Sequence, residues 1–285
     1  MTKNSPFCQM SSGEYVRTTR NWIMDRVRQQ IRSIRGNNRV RFKLLTPPFL
    51  SRQRVYDTAT GKVINLRIRN TIDWYVIGQI FANNDYGFEK LARSTELLHC
   101  YQRLIDSGRQ PLIIDCGANS GMATRFFRET FWETRIIAIE PDEGNLQLAR
   151  ENNPEGTTEF RLAGVSSADG RGVLVDPHLG NWGFQTVAAS EGPLEMVSIQ
   201  ALLQKLPEDQ VAPFIIKIDI EGFEADLFSK NTDWIAKFPV LIIELHDYML
   251  PKAGSSKNFL REISKLDRDF LLSGENVFSI AHDLP

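Results

Sequence analysis

The chain has 285 residues, 42% of them hydrophobic, with a formal net charge of −1. That length allows one sizeable α/β core plus an appendage, and the near-neutral balance gives no chain-wide electrostatic case for a nucleic-acid partner, so none is expected. No apolar run approaches the roughly 20 residues that span a bilayer. Met1–Pro6 lacks the apolar core of a signal peptide, and three scattered cysteines, Cys8, Cys100 and Cys116, suggest neither a disulfide framework nor a zinc site. The expected setting is the cytoplasm.

Residues 1–45 hold ten Lys and Arg against two acids. Ile23, Val27, Ile31 and Ile34 recur at helical spacing, with Arg20, Arg26, Arg28, Arg32 and Arg35 largely off that stripe. A basic amphipathic helix is expected here, docked on the main domain or touching an anionic membrane surface or partner. Thr46-Pro-Pro48 closes this extension, so the chain divides into 1–50, a lead-in over 51–110 and a core over 111–285. In the lead-in, Arg54–Tyr56 and Lys62–Arg69 flank a turn and read as a β-hairpin. Asp73–Phe81 and Phe88–Ile105 read as helices, and Tyr86 between them is either a lid residue or a packed aromatic.

The core opens on Pro111–Gly121. Leu112, Ile113 and Ile114 read as a buried parallel strand that ends at Asp115. Gly117 and Gly121 frame a turn where backbone can approach a ligand without a Cβ in the way, and Met122–Thr130 continues as a helix. Strand, glycine turn and helix form the nucleotide-binding unit of doubly wound folds. A carboxylate at the strand end would repel a pyrophosphate at the helix N-terminus, whereas it suits S-adenosylmethionine, which carries a sulfonium and an ammonium. Arg135–Glu140 is a second such strand. Its acid lies 19 residues past Gly121, close to the spacing at which an acid accepts ribose hydroxyls. Pro141, Asp142 and Asn145 open the next helix. Thr158–Ala163 is a third strand leading into Gly164–Gly170, where adenine is expected against Ala163, Gly164 and Val165. Pro177–Thr186 is either an acceptor-pocket loop or a surface loop.

Phe214–Ile218 is a fourth strand, ended by Asp219 and followed by Glu221-Gly222. Val240–Asp247 is a fifth, with Glu244 and His246 on one face by period two. Three readings of this acid–histidine cluster stay open. His246 or Asp219 acts as a general base on an acceptor hydroxyl, or Asp219, Glu221, Glu244 and His246 hold a divalent metal, or the side chains only tie loops together. No ligand spacing signals a metal independently, and no metal is expected. Asn258–Leu266 reads as a helix, and Asp267–Leu272 with Asn276–Ala281 as a closing hairpin.

Ile114–Gly121, Ile139-Glu-Pro-Asp142, Ile216-Lys-Ile-Asp-Ile-Glu-Gly222 and Ile243-Glu-Leu-His246 resemble the FkbM-type S-adenosylmethionine-dependent methyltransferases over about residues 55–285. The resemblance implies an α/β, class I methyltransferase Rossmann-like sheet, mostly parallel with an antiparallel last strand, here behind a helical and hairpin N-terminal extension. It also implies O-methylation of a hydroxyl on a sugar, lipid-linked glycan, polyketide or related metabolite, leaving S-adenosylhomocysteine. By this resemblance Asp115, Gly117, Asn119 and Gly121, with Ala118 between them, hold the methionine part of the cofactor, Glu140 binds ribose, and Asp219 lies near the reaction. An NAD-type oxidoreductase on a similar fold is the alternative enzyme, but Gly-Ala-Asn-Ser-Gly is not Gly-x-Gly-x-x-Gly. A non-catalytic cofactor-binding scaffold is the alternative from another class.

Overall fold

The computed structural model describes residues 41–47, 49–175, 185–188, 191–248 and 252–285. They fall into two compact units, one ending at Asn84 and the other running from Asp85 to Pro285. The expected basic helix lies outside the described residues, as does Pro177–Thr186 apart from its last two positions. Among the described residues no helix is long and apolar enough to cross a membrane.

In the first unit β1 (Phe42–Leu44), β2 (Arg52–Asp57) and β3 (Val63–Arg67) form an antiparallel sheet in that order. Alternate residues Val55, Ile64 and Leu66 are buried, as period two requires of a one-sided sheet. Asp57 closes the hairpin turn by accepting from the Ala59 amide and from Arg41 through both carboxylate oxygens. α1 (Thr71–Ile77) starts where the Asn70 side chain caps the amides of Ile72 and Asp73. It runs on as a π-helical turn, Gly78–Ala82. The division after Asn84 falls inside the 51–110 stretch, and β1 lies inside the stretch expected to be basic extension.

The second unit begins with a 3₁₀ turn, Phe88–Lys90, and α2 (Ser94–Asp106). The single helix expected over 88–105 is broken at Leu91, whose extended backbone lets its side chain go inward. β4 (Gln110–Cys116), α3 (Met122–Thr130), β5 (Arg135–Glu140), α4 (Glu143–Asn152) and β6 (Thr158–Leu162) follow. Then come β7 (Gly164–Ser166), β8 (Gly170–Val175), β9 (Gln185–Ala188), β10 (Leu194–Ser198) and α5 (Ile199–Gln204). β11 (Val211–Ile218), α6 (Glu224–Leu227), β12 (Val240–Glu244), α7 (Lys257–Ile263), β13 (Arg268–Ser273) and β14 (Asn276–Ala281) complete the chain.

The main sheet has the order β13-β14-β12-β11-β4-β5-β6. β12, β11, β4, β5 and β6 are parallel, and β14 enters antiparallel beside β12. This is the class I methyltransferase arrangement. Chain order runs outward from β4 through β5 to β6 and from β11 to β12, so β4 and β11 flank the topological switch point, where the carboxyl ends of strands leave a crevice. Leu112, Ile114, Ile137, Ile139, Ile216, Ile218, Leu241 and Ile243 are buried together in the core, which is why these strands read as unbroken apolar runs.

Two local expectations change. Gly164–Gly170 is not simply a loop: β7 pairs in parallel with β10 within a second sheet, β7-β10-β8-β9. The fifth strand stops at Glu244, and His246 begins a 3₁₀ turn. Its antiparallel neighbour β14 begins at Asn276, opposite Glu244, so no ladder remains on that side to hold the chain extended.

Candidate active site

The carboxyl ends of β4, β5, β11 and β12 lie side by side and carry most of the expected residues. The turn after β4 has three left-handed residues, Gly117 (φ 78°), Asn119 (φ 47°) and Gly121 (φ 76°). The protein's own backbone requires both glycines. A Cβ on Gly117 would stand 1.8 Å from the Asp219 carbonyl oxygen, and one on Gly121 would meet Ala149 Cα at 2.8 Å. Beyond the expected room for a ligand, the glycines let two turns and α4 close on each other. The amides of Gly117 and Ala118 both donate to the Ile139 carbonyl, at 2.9 and 3.0 Å, tying this turn to β5.

Asp115 is 0% exposed. One of its oxygens accepts from the Thr124 hydroxyl at 2.6 Å and the other lies 3.1 Å from Lys217 Nζ. The same ammonium donates to the Gly117 carbonyl at 2.7 Å and sits 3.5 Å from Asp219 Oδ2. Burial alone would lower the Lys217 pKa, but Asp115 and Asp219 hold it well above the usual value. The charge of Asp115 is thus met by a cation inside the protein. Lys217 and Thr124 were not singled out in the sequence, although a lysine inside a buried apolar strand is itself a sign that a carboxylate faces it.

Glu140 is 4% exposed and accepts from the Asn119 amide at 2.7 Å, the Asp142 amide at 3.1 Å and Asn145 Nδ2 at 3.1 Å. Burial pushes its carboxyl up to about 7 against those three donors. A carboxylate accepts about four hydrogen bonds, so one position is left. Asp142 caps α4 through the Asn145 amide at 2.7 Å, next to half-buried Pro141. Ala163 and Val165 are packed in the apolar core with Ile139, and Gly164 between them is strand backbone.

Around the end of β11 the chemistry is less settled. His246 is 2% exposed, and its Nδ1 lies 2.9 Å from Glu224 Oε1. Its Nε2 faces Asp219 Oδ1 at 3.5 Å, Glu221 Oε2 at 3.6 Å and Glu244 Oε1 at 3.9 Å. Burial would depress the imidazole, but Asp219 and Glu224 hold it up to about 11. The surrounding carboxylates thus favour the protonated imidazole. Burial would raise Asp219, but Lys217 and His246 keep it ionised. Burial and the Asp219 charge push Glu221 and Glu244 upward. Glu221 Oε2 is buried with no hydrogen-bond partner, and its backbone is left-handed at φ 54°. Glu224, fully buried in the first turn of α6, was not expected from the sequence. Tyr86 is buried against Phe126 and Phe127, as a packed aromatic.

The model of the methyltransferase FkbM domain matches residues 115–272. Among solved structures, monomeric WbdD is similar with a TM-score of 0.39 and 13% identity, covering 66% of this chain and 41% of WbdD, so this chain spans about two fifths of that protein. A second WbdD structure, described as a bifunctional kinase-methyltransferase, gives 0.38 and 13% over 68% and 40%. A methyltransferase from Geobacter sulfurreducens gives 0.35 and 14% over 76% and 98%. No curated protein matches the chain. The matched span holds every strand end described above, from Asp115 to His246, and covers more than half of the chain, which belongs to the family of the methyltransferase FkbM domain.

Proposed function

We propose that the chain is an S-adenosylmethionine-dependent O-methyltransferase acting on a hydroxyl of a sugar, lipid-linked glycan, polyketide or related metabolite. The observation that carries this reading is the shared rim. Four adjacent strand ends bring the glycine turn, Glu140, Asp219 and Glu244 together at the switch point of the sheet. The residues fit the cofactor in two respects. Glu140 keeps one acceptor position for a ribose hydroxyl. The partly exposed rim carries Asp219, Glu221 and Glu244, an acidic edge that suits a cationic ligand better than a pyrophosphate.

The cofactor would supply a methyl group made electrophilic by its sulfonium. This chain's contribution is to hold the acceptor oxygen in line with it and keep water away, which is where most of the acceleration in such a transfer comes from. Asp219, ionised and 26% exposed, is the carboxylate here that can both reach solvent and accept a proton, although its low pKa makes it a weak base.

Calorimetric titration tests this. S-adenosylmethionine and S-adenosylhomocysteine should bind, NAD should not, and Glu140→Ala should weaken cofactor binding at least about tenfold, the loss of one charged hydrogen-bond acceptor. Undiminished binding by Glu140→Ala, or tighter binding of NAD, would overturn the assignment. Labelled methyl transfer to fractionated glycans, lipids and metabolites then identifies the acceptor.

A further inference from the structure

We infer that Asp219, Glu221 and His246 form a divalent cation site, with Glu244 beside it. Among the described residues these three place one ligand atom each within 4.8 Å of one another. Two features go beyond a cluster of acids. The first is the histidine. His246 is 98% buried, and its Nδ1 is fixed by Glu224 at 2.9 Å. That leaves Nε2 aimed at Asp219 Oδ1, Glu221 Oε2 and Glu244 Oε1, none nearer than 3.5 Å and so all beyond good hydrogen-bond length. A carboxylate behind the far ring nitrogen is the arrangement that orients metal-binding histidines. The second feature is Glu221 Oε2, which is buried, has no hydrogen-bond partner and is presented by a left-handed backbone that glutamate rarely adopts.

The distances from the imidazole suit an ion. Donors held about 2.1 Å from one cation stand roughly 3.0–3.4 Å apart at octahedral or tetrahedral angles. The Nε2 distances to Asp219 and Glu221, 3.5 and 3.6 Å, need only a small contraction to meet that. The Lys217 ammonium faces the other oxygen of Asp219, Oδ2, and leaves Oδ1 to the cluster. Two carboxylate oxygens, a third nearby and one imidazole nitrogen suit an oxygen-preferring divalent ion such as Mn²⁺ or Mg²⁺. If methyl transfer is the reaction, the ion would hold the acceptor oxygen and lower its pKa. That role rests on the proposed function; the site itself does not.

The test uses Mn²⁺ alone and the full chain. Calorimetry should show one ion per chain, and pulsed electron paramagnetic resonance should show modulation from a directly bound imidazole nitrogen. Glu221→Gln should weaken binding at least tenfold while circular dichroism stays native. His246→Gln should abolish the nitrogen signal. Glu208→Gln, an exposed acid before the amino end of β11, should leave the affinity unchanged. Binding only in the millimolar range, an affinity indifferent to Glu221→Gln, or bound Mn²⁺ without a nitrogen signal would each overturn the site. None of these readouts depends on cofactor binding or methyl transfer, so their failure is distinguishable from failure of the proposed reaction.

Discussion

The turns after β4 and β11 touch each other and are built in opposite ways. In the β4 turn the buried charge is answered by a cation within the protein, although Ser120 Oγ and Asn153 Oδ1 are buried without a hydrogen-bond partner. Asp115 has Thr124 and Lys217, the turn amides have the Ile139 carbonyl, and Asn152 and Asn153 of α4 and its C-terminus donate to the carbonyls of Ser120 and Gly121. In the β11 turn, Glu221 sits on strained backbone with an unpartnered oxygen, next to an imidazole that faces more carboxylates than it can satisfy. Buried charges paired with a cation add rigidity, whereas crowded carboxylates on strained backbone mark a place that trades stability for work. The first turn is a frame and the second is where a ligand has something to complete.

The largest expected effect comes from opening the closed side. Lys217→Met leaves Asp115 buried without its cation and should cost about 3–5 kcal/mol in denaturant unfolding. Lys217→Met with Asp115→Asn should recover part of that loss. If the single variant is as stable as wild type, the β4 network is not what holds the turn. Gly117→Ala adds a methyl against the Asp219 carbonyl at a left-handed position, and should lower stability by about 3 kcal/mol, read as a fall in Tm.

Glu140 gives a pH test. Its folded pKa of about 7 lies above the carboxylate's ordinary 4.5, so protonation favours the folded state. The stability it contributes is complete below 4.5 and is lost as pH rises through about 7. Wild type should therefore lose up to about 3 kcal/mol relative to Glu140→Gln between pH 4.5 and 8, in paired unfolding curves. A pH-independent difference would mean that Glu140 is not strained by its burial.

On the open side the sign should reverse. Glu221→Gly removes both the left-handed strain and one crowded carboxylate, and should raise the stability of the metal-free protein by about 1 kcal/mol. A destabilised variant would show that Glu221 has a structural task. Smallest of all, Tyr248→Phe removes an exposed hydrogen bond of 3.0 Å to Glu244 and should change stability by less than about 0.5 kcal/mol.

The parallel strands were legible because a strand covered on both faces is written as a dense apolar run. β5 and α3 have the bounds expected of them, Arg135–Glu140 and Met122–Thr130. The closing hairpin was legible for the same reason that it folds, a Ser-Gly-Glu turn between two alternating segments. β7 was not, because a three-residue strand of Gly, Val and Ser has no pattern of its own and is defined by its partner Leu194–Ser198. The site was half legible. The sequence displays Asp115 and His246 as charges but does not show that Lys217 and four carboxylates stand against them, and those neighbours decide whether each charge is free. Apolar runs ended by acids located the strand ends, and packing decided which of those acids are paired.

The approach of Gly117 to the Asp219 carbonyl also has a thermodynamic side. With no room for even a methyl group between the two turns, and with Lys217 bonded to both, neither can shift without the other. Ligands that settle on the two turns are then linked, and linkage is reciprocal: whatever factor Mn²⁺ contributes to cofactor affinity, the cofactor contributes to Mn²⁺ affinity. Two titrations run in opposite order would give that factor twice, and it should fall toward one in Lys217→Met, where the shared ammonium is gone.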